Sequence, residues 1–164
     1  MGITSIAVER FSLVSVKPFN EVIAVIDAAI GHPDMRHFQQ DLAAAPSYAE
    51  MESIVHKAAG ATDLMLFMRF NFGEVLSKGK DGVKVQSQRL LVGNPLIMRK
   101  MTEHVPDAGS YAPVTILVDE RADGVHISYD RMSSFLASYN NAEALQVAKD
   151  LDLKVETLLK KAAS

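Results

Sequence analysis

The stretch Tyr111–Arg131, YAPVTILVDERADGVHISYDR, decides how the chain is to be read. Val114, Ile116 and Val118 alternate with Thr115 and Asp119, and Arg121-Ala122-Asp123-Gly124 supplies turn chemistry. Gly124 is free to take positive φ, and Val125, Ile127 and Tyr129 resume the alternation. A period of two on both sides of a tight turn predicts an antiparallel hairpin with one apolar face. Such a face has to be covered, so the flanking segments must supply a second layer.

Downstream, Leu145, Ala148, Leu151, Val155, Leu158 and Leu159 fall on one stripe of a long helix over 142–162. Asn140 and Glu143 read as its capping pair, with Asp150–Lys154 and Glu156–Lys160 as ion pairs on its outer side. Immediately upstream lies LLVGNPLIMRKMTEHVP, Leu90–Pro106, where a strand ends at Gly93-Asn94-Pro95 and a short helix begins. Asn94 suits an N-cap and Pro95 the first helical position, which needs no hydrogen bond. The same junction could expose the N–H groups of Leu96 and Ile97 to an anion. With one glycine and no Walker lysine, the plain cap is the preferred reading.

Further back, Leu64, Leu66, Met68, Phe70 and Phe72 alternate with Met65, Phe67, Arg69 and Asn71, predicting a strand apolar on both faces and therefore central or doubly covered. VQSQRLLV, Val85–Val92, is the next strand, and Leu76–Val85 between them reads as a polar, turn-rich loop. Thr4–Val16 reads as a long edge strand. Phe19, Val22, Ile23, Ile26 and Ile30 make an amphipathic helix after Pro18, ended by Gly31 and Pro33. Two short helices are expected within 34–60, the second capped by Ser47 and Glu50, striped by Met51, Ile54, Val55 and Ala58, and stopped by Gly60. The expected architecture is an α+β domain over 1–164: a two-layer β-α-β4-α arrangement with a curved antiparallel sheet on the long C-terminal helix and a helical insert at about 31–60.

Composition narrows the function classes. A net charge of −3 gives no electrostatic case for nucleic acid. The absence of cysteine removes thiol nucleophiles, disulfides and thiolate metal sites. The N-terminus lacks a basic start and an unbroken apolar core, Ile6 stands where a myristoylation signal would want Ser or Thr, and LMLFMRFNF is too short to span a bilayer. The chain is expected to be cytoplasmic, without a membrane or nucleic-acid partner.

The ordered motifs Val92-Gly93-Asn94-Pro95, Val105-Pro106, Ala112-Pro113-Val114 through Glu120, Asp123-Gly124-Val125 and the helix from Glu143 resemble a bacterial family called domain of unknown function 302. The first strand and helix fit as well, so the resemblance covers most of the chain outside 31–60. It implies a β-α-β4-α fold similar to one repeat of the TATA-binding protein, usually paired as a homodimer, and no established activity. Many members carry a cysteine just before Asn-Pro; Gly93 stands there in this chain, so thiol chemistry is excluded. The insert at 31–60 is not expected in the family core.

None of His32, His37, His56, His104 and His126 has metal-pair spacing, so no metal and no cofactor is expected. The sheet face opposite the main apolar one is expected to carry Arg69, Asn71, Arg89, Thr115, His126, Ser128 and Asp130. An arginine there is either paired with Asp119 or Asp130 or meets a ligand anion. Two function classes stay open. A binding protein would hold a small, partly apolar anion near Arg69, Arg89, Asn94, Tyr111 and Tyr129. An enzyme would use the same groove with His104 or His126 as proton carrier. A structural or protein-interaction role follows if no ligand binds.

Overall fold

The computed structural model describes residues 3, 5–78 and 83–164. Lys80 and the middle of the expected 76–85 loop lie outside them, as do Met1, Gly2 and Thr4. In chain order the elements are β1 (Arg10–Ser15), α1 (Phe19–Ala29), α2 (Met35–Ala44), α3 (Tyr48–Ala58), β2 (Met65–Asn71), α4 (Phe72–Lys78) and β3 (Ser87–Gly93). Then come α5 (Pro95–Thr102), β4 (Val114–Arg121), β5 (Gly124–Asp130), α6 (Met132–Leu136) and α7 (Ala142–Ala163). The five strands form one antiparallel sheet in the order β1-β5-β4-β3-β2. This is the expected α+β architecture, with α7 laid across the sheet beside α1, α5 and α6.

The hairpin forms as its alternation requires. Val114, Ile116 and Val118 on β4 and Val125, Ile127 and Tyr129 on β5 are buried under the helices, and Gly124 takes φ +137° at the turn. The α7 stripe through Ala148, Leu151, Val155, Leu158 and Leu159 joins them in the main core. The helix cap sits one residue later than expected: Asn141 accepts from Ala144 N–H at 2.8 Å, while Asn140 takes the left-handed φ of 52° that turns the chain into the helix. Glu156–Lys160 pairs at 3.7 Å as expected, but Lys154 reaches Asp63 at 3.4 Å and leaves Asp150 to Gln146 at 2.9 Å.

The β2 strand departs most from its sequence pattern. It is an edge strand, not a central one, and its register against β3 slips between Leu66 and Met68. The extra residue, Phe67, reverses the alternation beyond it. Cross-strand partners share a face, so Arg69, opposite buried Leu90, turns toward the helices, and Phe70, opposite Arg89, turns to the open face. Met68 is 50% exposed, and Phe70 and Phe72 are partly exposed rather than packed beneath α7. The first residues of the loop expected over 76–85 are helical instead, because Phe72–Lys78 winds into α4, while strand β1 starts at Arg10.

Between α1 and β2, α2 and α3 form where expected and build a second small core from Phe38, Val55, Met65 and Leu96. Two glycines hold this unit against the sheet: Gly31 N–H and Gly60 N–H both donate to the Leu64 carbonyl, at 2.8 and 2.9 Å. A Cβ on Gly31 would stand 1.9 Å from the Ala58 carbonyl oxygen, so only glycine permits this approach.

Candidate functional site

The polar residues expected to cluster are distributed over four places. Arg69 pairs with Asp27 of α1 on the helix side of the sheet. Tyr129 lies in the core, where its hydroxyl donates to Asp152 Oδ1 at 2.5 Å and accepts from Met132 N–H at 3.2 Å. Burial and the neighbouring Asp152 carboxylate push the Tyr129 hydroxyl far above its ordinary range. Asp152 also accepts from Met132 N–H at 2.8 Å and Ser133 N–H at 3.2 Å, so a buried carboxylate of α7 caps the start of α6. These bonds occupy Tyr129 in the structure of the fold itself.

Asn94 is the expected cap. Its Oδ1 accepts from Leu96 N–H at 2.8 Å, and its Nδ2 donates to the carbonyl oxygen and Oδ1 of Asp63, each at 3.0 Å. The side-chain amide is therefore used on both ends, and the Leu96 N–H is taken before an anion could claim it. His104 is exposed after α5, and His126 lies on the open sheet face 2.8 Å from Asp123 Oδ1. The two histidines do not meet, and neither lines the cavities described next. Among the described residues no group of three or more His, Asp or Glu could hold a metal ion.

Arg89 and Tyr111 do come together. They line a groove of about 350 Å³ on the open face, with Leu91, Ser110, Thr115, Asp130 and Phe135. Arg10 pairs with Asp130 at 2.6 Å and Arg121 with Asp119 at 2.6 Å, so both acids weighed as partners for Arg89 are taken. The Arg10 guanidinium holds the Asp130 carboxyl below the usual carboxylate range. Arg89 donates to Thr115 Oγ1 at 3.2 Å and lies 6.0 Å over the Phe70 ring, and among the described residues it has no acidic partner. Tyr111 stacks on Phe135 with ring centroids 4.7 Å apart and shares a 2.8 Å hydroxyl contact with Tyr139. That contact raises the Tyr139 hydroxyl to about 12.

The Ala112–Val114 segment is a wall common to this groove and to an apolar cavity of about 100 Å³ on its other side. Asn94 lines that cavity too, with Phe67, Gly93, Pro95, Ile97, Met98, Met101 and Leu151. Met98 and Met101 put flexible thioether side chains into that lining. The sequence did not single out Phe135, Leu91 or Pro113 for a site, because nothing in a local pattern tells which apolar residues end beside an arginine.

Fold and groove together define a two-layer α+β protein with one open sheet face and upon it an arginine that has no acidic partner among the described residues. The profile of the family described as Domain of unknown function DUF302 matches residues 40–162, and the chain belongs to that family. That match starts inside the segment 31–60, so residues 40–60 fall within the family match, contrary to the expectation of an insert foreign to it. The crystal structure of an uncharacterized conserved DUF302 protein from Bacillus stearothermophilus is similar over 94% of this chain and 98% of that one, at a TM-score of 0.63 and 12% identity. No curated protein matches the chain. Among the described residues no helix is long and apolar enough to cross a membrane.

Proposed function

We propose that this protein binds a small, partly apolar anion in the groove beside Arg89. The observation that carries the reading is the Arg89 guanidinium, left without a carboxylate among the described residues on a sheet whose other arginines, Arg10, Arg69 and Arg121, are each paired. A guanidinium fork matches a carboxylate or phosphate bidentately. Tyr111, Phe135 and Leu91 offer apolar surface for the body of the ligand, as pockets with few polar anchors commonly do. Native mass spectrometry of the purified protein, then a thermal-shift screen of small carboxylates and phosphates, tests this. The expected result is a copurified mass or a stabilising acid whose effect disappears in Arg89→Gln. A broad panel with no stabilising compound overturns it.

A second reading, self-association, is favoured by one specific feature. Met68, Phe70, Phe72, Val75 and Leu76 are exposed along β2 and α4, with Val75 73% exposed. Clustered apolar surface at a sheet edge invites a partner strand or a second copy. Sizing across a dilution series should show a dimer that Val75→Glu weakens; a monomer at every concentration ends this reading.

A further inference from the structure

A larger groove lies away from Arg89, between α1 and α7. It measures about 760 Å³ and is lined on one side by Val25, Ala28 and Ala29 and on the other by Leu153, Thr157 and Leu158. One end is closed by the turn at residues 61–63, which is tied to both helices. Thr62 N–H and Oγ1 donate to the Ala29 carbonyl at 3.1 and 2.9 Å, and Asp63 pairs with Lys154 at 3.4 Å. Toward the other end stands Lys161, exposed and, among the described residues, without an acidic partner. Asp63, the acid lining the groove, is already engaged by Lys154 and by Asn94 Nδ2 at 3.0 Å.

We propose that this groove binds a medium-chain carboxylate, its head at Lys161 and its alkyl chain running toward Ala61. Polarity sets the direction: the closed end holds a neutralised acid and small apolar side chains, and the far end holds a cation with no acidic partner among the described residues. Charge complementarity therefore selects an anionic head. Size selects the body. The helix from Leu153 to Lys161 spans about 12 Å at the rise of an α-helix, the scale of a medium alkyl chain. The turn across the closed end blocks a helix from lying through the groove, which disfavours a partner helix as the occupant. Leu153, 66% exposed at the rim, is apolar surface that an alkyl chain would cover.

Calorimetry of the full chain with decanoate below its micellar concentration tests the site. Saturable binding is expected, weakened about tenfold or more by Lys161→Glu, since a charge-assisted contact becomes a repulsion. Ala28→Trp should abolish it by filling the groove. Ala28 is exposed, so the variant is expected to fold, with circular dichroism as the check and Leu153→Asp as a second variant. Arg89→Gln should leave decanoate binding unchanged, which separates this site from the groove on the open face. Decyltrimethylammonium should bind far more weakly. The proposal is overturned if decanoate does not saturate, if Lys161→Glu and Ala28→Trp bind it as the parent does, or if the cationic analogue binds equally. A dimer that Ala28→Trp splits would also overturn it, placing a second copy in the groove.

Discussion

Arg69 on β2 is ion-paired with Asp27 on α1, joining the sheet to the helix that covers it. The pair exists because the bulge at Phe67 turns Arg69 off the open face. Both side chains are less than a third exposed, and removing one partner leaves a half-buried charge. Arg69→Ala should cost about 1–2 kcal/mol, between a surface and a buried pair. The pairing also predicts that Arg69→Ala leaves ligand binding intact where Arg89→Gln weakens it about tenfold or more. Chemical denaturation beside thermal-shift titration separates the two effects; equal loss of binding in both variants would contradict the assignment.

Tyr129 and Asp152 predict an alkaline signature. A raised folded-state pKa means that the Tyr129 contribution is fully present below the unfolded tyrosine value near 10 and is lost as pH rises toward the folded one. Tyr129→Phe removes a buried hydrogen bond to a carboxylate and should cost about 2 kcal/mol at neutral pH. That difference from the parent should shrink above about pH 10. Urea melts from pH 7 to 11 measure it, and a constant difference would refute the linkage.

Asp130 behaves with the opposite sign. Its carboxyl is held low by the Arg10 guanidinium, so its contribution is present above the unfolded aspartate value near 3.9 and fades as pH falls through the folded one. In Arg10→Gln the Asp130 carboxyl should titrate closer to an ordinary aspartate, read by NMR of its carboxyl carbon.

Gly31→Ala tests the attachment of the α2–α3 unit. The added methyl would meet the Ala58 carbonyl, a backbone atom that cannot step aside alone. A loss of about 2–4 kcal/mol is expected, as for overpacking at a closed backbone contact. Early proteolytic cleavage within residues 32–59 should accompany it.

Leu151→Asp should unfold the protein. Leu151 is buried in the main core and lines the apolar cavity with Met98 and Met101, where an unpaired carboxylate finds no donor. Circular dichroism and a cooperative melt like those of the parent would count against the packing described here.

Local patterns were enough for the elements whose cause is local. The β4–β5 hairpin, the α7 stripe, the Asn94 cap and the Ser47 cap each depend on residues a few positions apart, and each is legible in the chain. Tertiary structure decided what local periodicity cannot encode. One extra residue at Phe67 moved Arg69 to the helices and Phe70 to the open face, because a period of two inverts with a single insertion. It also decided which strand arginine has no acidic partner among the described residues. Arg10, Arg69 and Arg121 look no different from Arg89 in sequence, yet their acids arrive from Asp130 on a neighbouring strand, Asp27 on a helix and Asp119 two residues back. Tyr111 and Tyr129 likewise share a residue type at the two ends of one hairpin. Only the packing of α6 and α7 puts Tyr129 against a buried carboxylate and leaves Tyr111 at the groove, since charge pairing and burial depend on distances between elements that the order of residues does not carry.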